Sequence, residues 1–181
     1  HFLFSQGQVA IERTLGSRVV CYVVSGYVHD HAFSRVGKRS AERRSRLLSA
    51  GAQFIVCYFD ENSTDDPTIG VSHGSAASNY AFLLRKLLED ETLGLILKPK
   101  KPQRIRAILE SQGIGGLLDE ALSTGRCVLI SDGVVSTATL PCEAALAADL
   151  AIGKGTTATV ESALAGARAV FIDRERIYDH P

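Results

Sequence analysis

Methionine and tryptophan are both missing from the 181 residues, and neither sign of charge is in excess. The chain has 20 lysines and arginines against 20 aspartates and glutamates, a formal net charge of 0. Without net charge there is no long-range field to draw the chain to nucleic acid, so a nucleic-acid partner is not expected. Long apolar runs are missing too: stretches such as Val19–Val24 and Leu93–Leu97 fall far below the roughly 18 residues that suggest a membrane span. The first residues lack the basic and apolar pattern of a secretory signal. Disorder is excluded from the other side, because hydrophobic residues make up 45 % of the chain and charged residues 22 %, the balance of a folded protein. The length suits one domain, or one domain with part of another. A start at His1 with no methionine, and an end at Asp179-His180-Pro181 just after a strand-like run, lead us to expect a piece of a larger protein.

The four cysteines, Cys21, Cys57, Cys127 and Cys142, include no C-x-x-C pair, and three lie inside apolar runs. They read as buried free thiols in a reducing, cytoplasmic setting. No Cys/His cluster has metal-ligand spacing, so no metal is expected.

What the sequence does contain is alternation. Short β-branched runs predict strands at Arg18–Val24, Gln53–Phe59, Leu93–Leu97, Cys127–Ile130, Asp149–Ile152 and Ala169–Ile172. Between them, helical patterns cover Ser40–Ser49, the face Tyr80, Leu83, Leu84, Leu87 and Leu88, Pro102–Thr124 with a break at Gly113–Gly116, Pro141–Ala147, and Thr157–Ala165 ended by Gly166. From residue 53 onward the order is β-α-β-α-β-α-β-α-β. That order predicts an α/β fold, a Rossmann-like parallel sheet with helices on both faces. Residues 1–50 fit it less well and are expected to end a preceding domain or to connect two domains, leaving 51–181 as the sheet domain.

Ligands of such sheets bind outside the carboxyl ends of the strands, which makes the residues after each strand the candidates. Gly153-Lys154-Gly155 runs into Thr156-Thr157 and a helix bearing Glu161. Free N–H groups at a helix start favour an anion, and Gly155 lets a phosphate approach the backbone; an ordinary capped helix would look the same. Lys98 and Lys100 follow the strand Leu93–Leu97, with Lys101, Arg104 and Arg106 beyond them. Lys98, next to the sheet edge, is placed to neutralise a diphosphate. Asp60 and Glu61, after the strand Gln53–Phe59, are candidates for a base or for holding a ligand hydroxyl. His73 in the loop that follows is a candidate proton carrier or phosphate contact. The basic stretch Arg35–Arg46 offers contact with an anionic membrane surface or an acidic partner, or simply a solvated helix face.

Residues 53 to 173 resemble the C-terminal, nucleotide-binding domain of GT-B-type glycosyltransferases of bacterial capsule and surface-polysaccharide synthesis. The likeness lies in IVCYFDEN (55–62) with NYAFLLRKLL (79–88), in LGLILKPKK (93–101), and above all in AADLAIGKGTTATVESALAGARAVFID (147–173). The resemblance implies that Thr156, Thr157 and the helix start hold the diphosphate of a nucleotide sugar, that Glu161 bonds its ribose, and that Lys98 stabilises the leaving diphosphate. It implies no cofactor, the nucleotide sugar being a substrate. It also implies a glycan or lipid-linked acceptor, a cytoplasmic location at or near the membrane's inner face, and an acceptor-side domain without which this stretch alone is inactive. The sequence departs from the family at Gly153, where retaining members often have a second Glu, and in Lys98-Pro99-Lys100, where related phosphate-sugar transferases tend to use His-Pro. A rival reading is a dinucleotide (NAD or NADP) fingerprint, Gly153-x-Gly155-x-x-Ala158 with Asp173 ending the next strand. A third is a transferase-like domain that serves only as scaffold or regulator.

Overall fold

The computed structural model describes residues 1–27, 30–66, 71–131, 139–154 and 156–172, and the chain divides into two units, His1–Arg35 and Val36–Pro181. In the smaller unit β1 (Phe2–Leu3) pairs in parallel with β2 (Val23–Val24), and α1 (Gln6–Thr14) separates them along the chain. Ser5 caps α1 by accepting the Gln8 N–H. The strand expected over Arg18–Val24 is confined to its last two residues. Val20 stands fully exposed, and a run with no face to bury gains too little to hold a strand. Cys21 lies in this run and is exposed, whereas Cys57, Cys127 and Cys142 are the buried free thiols the sequence suggests.

The larger unit holds the α/β fold. Along the chain come α2 (Phe33–Ser49), which starts just before the unit does, β3 (Phe54–Phe59), the two-residue strands β4 (Ser63–Thr64) and β5 (Val71–Ser72), and α3 (His73–Glu89). Then follow β6 (Leu93–Lys98), α4 (Pro102–Ser111), α5 (Gly115–Ser123), β7 (Cys127–Leu129), α6 (Pro141–Leu146), β8 (Leu150–Gly153), α7 (Thr157–Leu164) and β9 (Ala169–Phe171). Five of these strands make one parallel sheet in the order β7-β6-β3-β8-β9. The chain thus starts at the centre, builds outward through β6 to β7, and returns to add β8 on the other side of β3. This reversal is the topological switch of a Rossmann-like sheet.

Period-two alternation sorts the side chains between the two faces. Ile55, Cys57 and Phe59 of β3, with Ile96 of β6, face Leu47 of α2 and Ala144 and Ala145 of α6. Tyr58 of β3, with Leu95 and Leu97 of β6, faces Tyr80, Leu84 and Leu87 of α3 and the helices α4 and α5. Residues 36–50 therefore belong to the sheet unit as its first helix: Leu47 is in its core, and Ser40 donates to the Glu143 carbonyl. Gly166, with φ +92°, follows α7 as the sequence suggests, the left-handed turn that ends the helix. Among the described residues no helix is long and apolar enough to cross a membrane.

One buried charge closes the end of α3. Arg126 is 8 % exposed, and its Nη1 donates to the carbonyls of Leu87, Asp90 and Leu93 at 3.1, 2.8 and 2.7 Å. Leu87 lies in the last turn of α3, Asp90 just after it and Leu93 at the start of β6, so the guanidinium supplies donors where the helix ends and the strand begins, beside the Leu93 N–H that the Asp90 carbonyl also accepts. Arg126→Met keeps the bulk and removes the donors. A loss of about 3 kcal/mol is expected, read in urea as a lower midpoint at unchanged slope; an unchanged midpoint would show that solvent serves those carbonyls equally well.

Candidate functional site

The carboxyl ends of β3, β6 and β8 open into a cleft of about 400 Å³ at the switch point. Asp60 and Glu61 reach it from the end of β3, Lys98 and Lys100 from the end of β6, and Thr156, Thr157 and Glu161 from α7. Five of these seven were singled out in the sequence for binding a ligand and two as catalytic candidates, and one cavity brings all of them together.

Asp60 ties two loops together. It is 7 % exposed, one carboxylate oxygen accepts the Tyr80 hydroxyl at 2.9 Å, and the other accepts the Lys100 N–H. Burial pushes its pKa up to about 6, against the pull of those hydrogen bonds and of Lys98 and Lys100. With both oxygens engaged, Asp60 fastens the loop after β6 to the end of β3 and positions Lys98 and Lys100. That work is structural; the sequence offered Asp60 as a base or as a holder of a ligand hydroxyl. Lys98 is 6 % exposed. Burial lowers its pKa, opposed by the nearby Asp60 and Glu161 carboxylates.

Thr156 is the N-cap of α7. Its hydroxyl oxygen accepts the Thr159 N–H at 3.3 Å and lies 3.2 Å from the Thr159 hydroxyl. Thr157 is exposed at the first turn. Glu161, one turn further on, is 3 % exposed and accepts the Cys142 N–H at 3.0 Å, a free N–H at the start of α6. Burial first, and Glu161 second, push the Cys142 thiol up to about 12, so it stays protonated. Gly153 acts through close approach: a Cβ there would run into the Thr159 hydroxyl and Phe59. Only glycine lets α7 start this near the sheet. Gly155 and Asp173 lie outside the described residues.

His73 does not line this cleft. Its Nδ1 is 2.7 Å from the Ser63 hydroxyl and its Nε2 is 3.4 Å from Asp65, contacts that join the ends of the β4–β5 pair. Beside it, Gly70-Val71-Ser72-His73-Gly74 has the G-x-S-x-G spacing of a nucleophile elbow, a match that the candidate residues above leave out. Ser72, however, has φ −71° and ψ 158°, an ordinary extended conformation, and its hydroxyl caps α3 by accepting the Ser75 N–H at 3.0 Å. It lacks the strained turn that exposes a nucleophile.

The basic stretch on α2 is divided: Arg35, Lys38, Arg39 and Arg46 are exposed, and Arg43 and Arg44 are half-buried. Arg39 and Arg43 lie 2.9 and 3.3 Å from the buried Glu143, and Arg44 lies 2.8 Å from Asp149. Three of its six cations are thus held by the protein's own acids. A second cleft, of about 280 Å³, lies among Arg39, Arg43 and Arg46 beside the end of β7. Among the described residues no three His, Cys, Asp or Glu side chains come together as metal ligands.

Tyr80 is the supporting residue that sequence reasoning missed. It sits on the apolar stripe of α3, so its ring reads as core, and nothing in the pattern reveals that its hydroxyl reaches Asp60. Fold and cleft together define a class: a Rossmann-like α/β protein with a polar, cation-bearing cleft at its topological switch point. Comparison of the chain with protein-family models, with curated proteins and with solved structures finds no match.

Asp60 makes a testable contribution to stability. Its folded-state value, about 6, lies above the ordinary 3.8, so the folded chain binds this proton more tightly than the unfolded chain does. The stability that the protonated carboxyl contributes is full below about pH 4 and is lost as pH rises through 6, by roughly 3 kcal/mol in all. Asp60→Asn keeps an acceptor for Lys100 and cannot ionise. It is expected to exceed the wild type in urea midpoint at pH 7 to 8 and to converge with it near pH 4. A variant that is less stable at pH 8 than at pH 4, relative to the wild type, would show that the ionised carboxylate is the favoured form.

Proposed function

We propose that this chain is the donor domain of a GT-B-type glycosyltransferase of bacterial surface-polysaccharide synthesis, binding a nucleoside-diphosphate sugar in the cleft at the switch point. The observation that supports it is the meeting of Lys98, Thr156 and Thr157, from separate loops, in one cavity large enough for a small molecule. A diphosphate there would take N–H donors from the start of α7 and a hydroxyl from Thr157, with the Lys98 ammonium opposite. Transfer of the sugar leaves negative charge on the departing phosphate. A lysine fixed by burial and by the Asp60-anchored loop meets that charge without having to reorganise. The sugar passes to a glycan or lipid-linked acceptor, and an acceptor-side domain supplies the rest of the active site.

The same strand order also serves dinucleotides, so the test includes them. Thermal unfolding is measured with UDP, CDP, GDP, CMP, NAD and NADP. A ligand at one hundred times its dissociation constant adds about 2.7 kcal/mol of stability. A shift with a nucleoside diphosphate and none with NAD or NADP is expected. Lys98→Ala is expected to weaken that binding by about 1–3 kcal/mol, the range for a charged hydrogen bond. A shift confined to NAD or NADP would replace this reading with the dinucleotide one, and silence across the panel in a full-length protein would leave the scaffold reading.

A further inference from the structure

Three carboxylates line the cleft, and two of them are committed to the protein itself. Asp60 accepts from Tyr80 and from the Lys100 N–H, and Glu161 accepts the Cys142 N–H. Glu61 differs. Among the described residues its carboxylate makes no ion pair and no hydrogen bond, although Lys98 and Lys100 line the same cleft. With Asp60 it also lines a water-sized pit walled by Ser63, Lys101 and Arg104. Neither of those cations is within ion-pair distance of it, so Glu61 stands half-buried with its acceptors available.

A free carboxylate is the wrong group for a bare diphosphate. It repels the anion that the neighbouring lysines attract. It is the right group for hydroxyls: an ionised carboxylate is acceptor-only and can take two donors, as from a sugar diol. We infer that Glu61 is the specificity-determining residue of the cleft, accepting hydroxyls of the ligand's sugar and disfavouring phosphates that lack one. This rests on the reading of the cleft as a nucleotide-sugar site, and it assigns to Glu61 the hydroxyl recognition that the family resemblance places on Glu161.

The test compares wild type with Glu61→Gln for inorganic pyrophosphate, for the four ribonucleoside diphosphates UDP, CDP, GDP and ADP, and for UDP-glucose and GDP-mannose, by calorimetric titration. Opposite effects are expected. Glu61→Gln binds pyrophosphate as tightly as wild type or more tightly, and binds the sugar-bearing ligand about tenfold or more weakly. Weakening already seen with a nucleoside diphosphate assigns the contact to ribose, and weakening seen only with the glucose or mannose ester assigns it to the transferred sugar. Glu61→Asp is expected to recover part of the discrimination, which a residue that only holds the fold would not do. Equal effects on pyrophosphate and on every sugar ligand overturn the inference while the site reading stands. Wild type that binds neither pyrophosphate nor any nucleotide overturns both.

Discussion

The pairing of β3 on both sides is the constraint on which the rest of the structure depends. All six of its residues pair in parallel with β6 along one edge, and the last four, Val56–Phe59, pair in parallel with β8 along the other. β6 and β8 carry connections that leave in opposite directions across the sheet, and their following loops part at the carboxyl end of β3. The cleft is the gap that results. Because β3 is buried on both faces, its side chains have little latitude: Cys57 and Phe59 must fit under α6 on one side, and Tyr58 under α3 on the other. A shift of one residue would exchange the two faces and carry Asp60 away from the Tyr80 hydroxyl.

Around that gap lies an unusual density of buried charge. Asp60, Lys98 and Glu161 are each less than a tenth exposed. A charge removed from water is costly unless hydrogen bonds or an opposite charge replace the water. Asp60 receives two donors and Glu161 an amide, and Lys98 faces both carboxylates. The opposed shifts, Asp60 upward and Lys98 downward, come from the same cause, burial working against whichever form is charged. A site that already bears this cost holds its charges in place, the preorganisation that binding a second anion requires. The same economy explains α2, whose arginines serve Glu143 and Asp149 inside the unit.

Much of the fold could be read along the chain because parallel strands buried on both faces are written locally. Leu93–Leu97 is a continuous apolar run, the stripe of α3 repeats at helical spacing, and Gly166 ends α7 where the pattern stops. Strand-end residues follow directly from that order, which is why Lys98, Thr156, Thr157 and Glu161 could be named together before any geometry was known. The limits are equally physical. Arg18–Val24 has the composition of a strand but pairs only through Val23 and Val24, and Arg43 and Arg44 of α2 reach acids a hundred or more residues away, which no local pattern reveals.

The sequence by itself thus determined the order of the five sheet strands and the helices between them, the parallel sheet and the set of polar residues at its carboxyl edge, since each depends on periodicity and on the chemistry of neighbours in the chain. Only the tertiary structure decided what each of those residues does. Asp60 and Glu61 are adjacent and chemically alike, yet one is spent on Tyr80 and Lys100 and the other stands open in the cleft. His73 and Glu161 likewise took their roles from partners that no local pattern names. A side chain's function depends on which of its hydrogen-bonding positions the fold has already filled, and those positions are filled by residues distant in sequence.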